Sequence, residues 1–311
     1  MISSAVPSNR SSLRPRALRP GAHLRVIAPS SPFDMQDFAR GVDRLRARYR
    51  VTYDQQISAR AGYLAGDDAR RLRELEDAID DPDVDAIVAA RGGYGAMRIA
   101  SSIDPARVAA HPKLLVGFSD VTALHALWAR AGVCSLHASM VAALGRGSDA
   151  MLARWIDVVE GKSTCSFEGL TPIGASRAVI EAPVIGGNLA LLAAMTGTPL
   201  APPLDGAILF VEDVGEAPYR VDRMLTQLRL SGALENVAGV LVGSFTRCAP
   251  GADGTTVESV VAERLGDLDV PVLVGLPCGH VEEPLELPLG ARARIDGTRG
   301  CVTFVEPLVH L

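Results

Sequence analysis

The chain has 311 residues, 48 % of them hydrophobic, enough for one large or two ordinary domains with a substantial core. A net charge of −5 argues against a general binder of phosphate backbones, and an aromatic content of 5 % argues against a stacking platform for single-stranded nucleic acid. The five cysteines (Cys134, Cys165, Cys248, Cys278, Cys301) are dispersed without CxxC spacing and read as reduced thiols of a cytoplasmic protein.

Residues 1–20, "MISSAVPSNRSSLRPRALRP", are arginine-rich, lack the apolar stretch of a signal peptide and read as a disordered polar tail. "HLRVIAPSSP" predicts a strand running into a turn, and "DMQDFARGVDRLRARY" a helix that buries Phe38, Val42 and Leu45. "RVTYD" is a second strand, and "DDARRLRELEDAIDD" a charged amphipathic helix with Leu72, Leu75 and Ile79 inward. "AIVAA" opens into "RGGYG", and "KLLVGFSD" supplies the next strand. Strands alternating with helices predict a parallel sheet covered by helices, and in such sheets functional groups gather at the carboxyl ends of the strands. "APSSP", "RGGYG" and "GFSD" all fall at such ends.

The polar stretch "EGKSTCSFEGLTPIGASR" marks a linker at 166–176, between an N-terminal domain at 21–165 and a C-terminal one at 177–311. Beyond it, "AVIEAPVIGGN" reads as strand and turn, "LALLAAMTG" as helix and "GAILFVED" as strand. "APYRVDRMLTQLRLSG" is a helix burying Val221, Met224, Leu225 and Leu228, "VAGVLVGSF" and "PVLVGLPCGH" are strands, and "ARARIDGTRGCVTFVE" is a hairpin. Residues 182–204 carry no charge, but glycines and prolines break them up, so they read as a core helix with loops and not a membrane span.

Ser119 and Asp120 sit where a strand passes into a helix, a position that suits an ordinary helix cap. The same position suits a nucleophile: Gly117 permits a sharp turn, and the backbone N–H of Asp120 points toward developing negative charge. Gly92 and Gly93 on the neighbouring strand end could supply a second oxyanion donor. Valine at 121 breaks the G-x-S-x-G pattern and excludes an α/β-hydrolase elbow. Of the six histidines, His137 and His280 are the credible bases, His125 packing along the helix; Glu212 and Asp213 compete as the acid. Cys278 and His280 alone do not make a zinc site, because further ligands at sensible spacing are absent.

Seven stretches in order resemble the LD-carboxypeptidase family of serine peptidases, which includes muramoyltetrapeptide carboxypeptidase. They are "LRPGAHLRVIAPSSP", "GYLAGDDARR", "DPDVDAIVAARGGYGAMRI", "PKLLVGFSDVTALH", "GGNLALLAAMTGTP", "LFVEDVGEAPYRVDRML" and "GLPCGHVEEPLELPLGARARID". The resemblance implies an α/β fold with an N-terminal Rossmann-like parallel-sheet domain and a smaller C-terminal β-rich α/β domain. It implies Ser119 as nucleophile, His280 as general base and Glu212 as orienting acid, with the site between the domains. The oxyanion donors are expected to be the N–H groups of Asp120 and Gly93. Arg91, Gly92, Tyr94 and Asn188 are expected at the substrate, with Arg91 weighed both as partner for a D-alanine carboxylate and as anchor of its own loop. No metal or organic cofactor is implied. The expected substrate is a murein tetrapeptide that loses its terminal D-alanine, and the expected assembly is a cytoplasmic homodimer without nucleic-acid or membrane partners. One alternative is a microcin C-type immunity peptidase that cleaves a peptidyl- or aminoacyl-nucleotide amide. The other is a non-catalytic nucleotide-binding protein, although neither a GxGxxG nor a Walker loop is present.

Overall fold

A computed structural model describes residues 12–310. Its first half supplies five strands, all parallel, to a six-stranded sheet: β1 (His23–Ile27), β2 (Arg50–Tyr53), β3 (Ala86–Ala89), β4 (Leu114–Gly117) and β5 (Ser135–His137). β3 and β4 are buried at every residue, as strands of a sheet covered on both faces must be. Helices α1 (Met35–Arg46), α2 (Asp68–Asp80), α3 (Ala96–Ala100), α4 (Pro105–Ala110) and α5 (Thr122–Arg130) connect these strands, and α6 (Val141–Leu144) and α7 (Asp149–Val159) follow β5. Asp34 caps α1 by accepting from Gln36 N and Asp37 N, and Phe38, Val42 and Leu45 form the buried face of α1 as their spacing requires.

The second half forms an eight-stranded mixed sheet. β8 (Val179–Asn188), β9 (Ile208–Val214), β10 (Gly239–Thr246) and β11 (Val272–Val274) run parallel at its centre. β13 (Arg292–Asp296) and β14 (Cys301–Phe304) form the expected hairpin beside β8. Helices α8 (Leu189–Met195), α9 (Pro218–Leu230) and α10 (Val257–Leu265) complete this half. Among the described residues no helix is long and apolar enough to cross a membrane, and 182–204 divide into the end of β8, α8 and a loop.

Three segments differ from the sequence reading. The expected disordered tail at 1–20 is corrected for 12–20: Leu18 is buried, Leu18 N donates to Val159 O, and Leu13 pairs with the Val133 backbone. Residues 1–11 lie outside the described residues. Arginine content masked the apolar Leu13, Ala17 and Leu18, of which Ala17 and Leu18 pack into the core. The stretch expected as a linker carries β6 (Ser166–Phe167) and β7 (Thr171–Ile173), which close opposite edges of the second sheet. Such short strands, next to Gly169 and Gly174, are too brief to show alternation. Finally, β12 (Leu287–Leu289) leaves the C-terminal half and pairs antiparallel with β5, so the first sheet runs β12-β5-β4-β3-β1-β2. That strand ties the halves together, and one apolar cluster accordingly unites Val116 and Leu136 with Val184, Phe210 and Leu241.

Candidate active site

The turns after β1, β3 and β4 meet at the carboxyl edge of the first sheet. Ser30 Oγ donates to Asp120 Oδ2 at 2.6 Å, and Ala96 N donates to the same oxygen at 2.8 Å. Tyr94 N donates to Ser31 Oγ at 3.1 Å, so "APSSP" and "RGGYG" are linked directly as well. Burial raises the Asp120 carboxyl above its ordinary range, opposed by the Ser30 hydroxyl and the Ala96 and Gly95 amides. Beneath these turns, Arg71, on the buried face of α2, donates to the carbonyls of Pro29 and Gly95.

Ser119 starts a single 3-10 turn, Ser119–Val121, and its side chain caps no helix there. Its φ is 64°, which only Arg247 matches in sign among the described non-glycine residues. A side chain in this left-handed region is strained, and such strain concentrates where function holds a residue in place. A Cβ built on Gly92 would lie 2.9 Å from Ser119 Cβ and 3.1 Å from Ser119 Oγ, so only glycine lets the "RGGYG" backbone approach the serine this closely. Gly93 has φ 115°, and a Cβ there would meet the Ser31 side chain at 2.5 Å.

The second sheet contributes the carboxylate and the imidazole. Glu212, near the end of β9, is fully buried, and its Oε2 accepts from His280 Nδ1 at 2.7 Å. Burial alone would push the Glu212 carboxyl up; the His137 and His280 rings beside it more than reverse this and hold it down at about 2. His280 lies on the loop after β11, which Ser244 N fixes by donating to Cys278 O at 3.0 Å. Gly279 lets that loop pass over Glu212, since a Cβ there would fall 2.5 Å from Oε2. The His280 ring packs edge-on against Phe118, centroids 4.9 Å apart, and Phe118 immediately precedes Ser119. Among the described residues no hydrogen bond joins the Ser119 hydroxyl to the His280 ring; the contact between the serine turn and the histidine loop is the Phe118–His280 packing.

The competing assignments separate on geometry. Asp213 faces away from His280: its oxygens accept from Asn188 Nδ2, Ala190 N and Val214 N, and burial pushes its carboxyl up to about 6. His125 has both ring nitrogens engaged, with Ser135 Oγ at 2.8 Å and Gly117 O at 2.9 Å, and burial lowers it to about 3. Asn188, expected at the substrate, has both ends of its amide committed inside the protein: Oδ1 caps α8 and Nδ2 donates to Asp213 at 2.9 Å. Arg91 donates to Pro32 O at 2.6 Å, the loop-anchoring role weighed for it, while Tyr94 is exposed with its ring 5.7 Å from that of Tyr63.

Residues that sequence reasoning missed are the Asp120 side chain, Arg71 and Thr122. Thr122 Oγ1 accepts from Asn188 N at 3.0 Å and thereby ties β8 of the second sheet to the turn that carries Ser119. Arg70, Arg71 and Glu74 share the buried stripe of α2 with Leu75, Ala78 and Ile79, so charges at helical spacing on an apolar face were the available signal. Thr122 offered none, being a threonine at a helix start.

Comparison with known proteins bears on the chemistry. The profile described as LD-carboxypeptidase N-terminal domain matches residues 24–138, and the profile described as LD-carboxypeptidase C-terminal domain matches residues 181–295. The chain is 34 % identical to the murein tetrapeptide carboxypeptidase of Pseudomonas aeruginosa, over 89 % of this chain and 94 % of that one. It is similar to the crystal structure of muramoyltetrapeptide carboxypeptidase from Oxalobacter formigenes, with a TM-score of 0.80, 32 % identity, and coverage of 91 % and 97 % of the two chains. It is also 25 % identical to the microcin C7 self-immunity protein of Escherichia coli, over 90 % of this chain and 91 % of that one.

Proposed function

Because the chain belongs to the LD-carboxypeptidase family and is a serine carboxypeptidase by that membership, we propose that it removes the terminal D-alanine from murein tetrapeptides with a Ser119–His280–Glu212 triad. The observation that carries this reading is the His280–Glu212 hydrogen bond, packed through Phe118 against the strained Ser119 turn. His280 Nε2 takes the Ser119 proton as Oγ attacks the carbonyl of the L,D-peptide bond. Glu212 Oε2 accepts from Nδ1–H throughout, fixing the tautomer and stabilising the imidazolium. The Asp120 and Gly93 N–H groups receive the oxyanion. D-alanine leaves as an amine protonated by His280, and water, deprotonated by the same ring, then frees the tripeptide and restores Ser119.

Peptidoglycan recycling by such an enzyme belongs in the cytoplasm, and the free state of all five cysteines supports that placement. A homodimer is the proposed assembly, read directly by analytical ultracentrifugation. The test of substrate class is a competition: equal amounts of a defined murein tetrapeptide and an aminoacyl-sulfamoyl adenosine are offered to the protein, and products are resolved by mass spectrometry. D-alanine and tripeptide are expected to dominate. Dominant nucleoside release supports the immunity-type peptidase instead, and tight nucleotide binding without turnover of either compound supports a binding protein.

Gly92→Ala tests the close approach. Its Cβ displaces Ser119, and a misplacement of about 1 Å costs on the order of 10²-fold in rate. The expected result is a loss of kcat/KM of at least that size with a melting temperature near that of the unaltered protein.

A further inference from the structure

His137 is buried at 1 % exposure, and neither ring nitrogen has a hydrogen-bond partner. Buried polar atoms without partners are rare in folded proteins, so this one calls for a physical account. Its ring is walled by Phe118 at 5.5 Å, Phe210 at 5.1 Å and His125 at 6.4 Å between centroids. Two of these walls are apolar, and both nitrogens of His125 are engaged elsewhere. The acceptor in reach is Glu212 Oε1, 4.0 Å from His137 Nε2, about 1 Å beyond an ordinary N–H···O bond.

The triad reading leaves Oε1 poorly held. Oε2 takes the His280 N–H, while Oε1 receives only the Asn188 amide at the long distance of 3.5 Å. His137 also sits beside the nucleophile's own strand: its backbone pairs with Gly117 of β4, and on the other side with Leu287 of β12. One ring therefore touches the surroundings of both the serine turn and the carboxylate.

We propose that His137 is a positioning residue, whose Nε2–H closes on Glu212 Oε1 and fixes the carboxylate so that Oε2 stays directed at His280. The inference rests on Glu212 being the orienting acid. The ionisable groups facing this pocket are His125 on α5, Glu212 on β9, and Cys278 and His280 on the loop after β11. Of these, Glu212 responds most directly to loss of the ring: burial raises its carboxyl and His137 opposes that rise. Without His137 the carboxyl takes up its proton at higher pH, so the acid limb of activity moves upward.

The experiment compares His137→Leu, which removes the donor, with His137→Gln, whose amide can donate from nearly the same place. D-alanine release from a murein tetrapeptide is followed across pH. His137→Leu is expected to lose about 10- to 100-fold in kcat with KM little changed, a size typical of removing an orienting partner. Its acid limb of kcat/KM should move to higher pH, and His137→Gln should recover most of both effects. Equal losses in the two variants with an unmoved pH profile would mean that the ring only fills space, and full activity in His137→Leu overturns the proposal outright. Should His137→Leu fail to fold, nitrogen-15 NMR of the unaltered protein decides. A protonated Nε2 whose signal shifts in Glu212→Gln supports the contact, and a bare Nε2 refutes it. The triad reading fails separately, by persistent turnover in Ser119→Ala, so the two failures are distinguishable.

Discussion

Replacing Ser119 by alanine should cut D-alanine release by at least about 10⁴-fold, because a triad acts as a unit and leaves only binding and oxyanion stabilisation behind when one member goes. Steady-state product formation from a defined tetrapeptide measures this, and near-normal release would remove the nucleophile from the mechanism. Folding should be untouched. The Ser119 side chain caps no helix, and at φ 64° an alanine meets the same backbone constraint as the serine. Ser119→Gly sharpens the argument. A non-glycine residue in the left-handed region costs about 1–2 kcal/mol, which glycine avoids. The glycine variant should therefore melt a few degrees higher than the unaltered protein while being as inactive as the alanine variant. A nucleophile whose removal relieves strain is what a functional turn predicts, and an ordinary cap predicts the reverse, since losing a cap costs about 1 kcal/mol.

How far the site could be read in advance depended on how local each signal was. The buried faces of α1 and α9 follow from spacing within one helix, and Phe38, Val42 and Leu45, or Val221, Met224, Leu225 and Leu228, are buried as their period demands. The gathering of "APSSP", "RGGYG" and "GFSD" follows from the sheet topology, because strands β1, β3 and β4 are neighbours and run the same way. Choosing between Glu212 and Asp213 was beyond pattern alone. Adjacent strand residues point to opposite faces, and which face meets the loop after β11 depends on packing far along the chain. The resemblance named Glu212; the geometry adds why Asp213 is unavailable, its oxygens being spent on the start of α8 and on Asn188. Pattern likewise left both His137 and His280 as bases, with only the loop position after Gly279 favouring His280. Least legible were β6, β7 and β12, two or three residues each, whose pairing is set by partners more than a hundred residues away in the case of β12 and β5.

Glu212→Gln should lose about 10⁴-fold in kcat/KM while remaining folded, the size seen when an orienting carboxylate becomes an amide that favours the wrong imidazole tautomer. The glutamine keeps the shape of the side chain, but it loses the charge and gains an amide N–H that can donate to His280 Nδ1. Fully buried, that charge is expensive to desolvate, and its compensation comes from His280 at 2.7 Å and from the nearby His137 and Asn188. The variant is therefore expected to match or exceed the unaltered protein in melting temperature at acid pH. Glu212 is held at about 2, below its ordinary value, because the rings of His137 and His280 outweigh its burial. A carboxyl depressed on folding contributes stability that is complete above its unfolded value and is lost as pH falls through the folded one. Between about pH 4.5 and 2 the native protein loses this contribution and the glutamine variant has none to lose, so the comparison of melting temperatures moves in the variant's favour across that window. A gap that stays constant there would mean that Glu212 is not held ionised in the fold, and the carboxylate would then have no claim to orient His280.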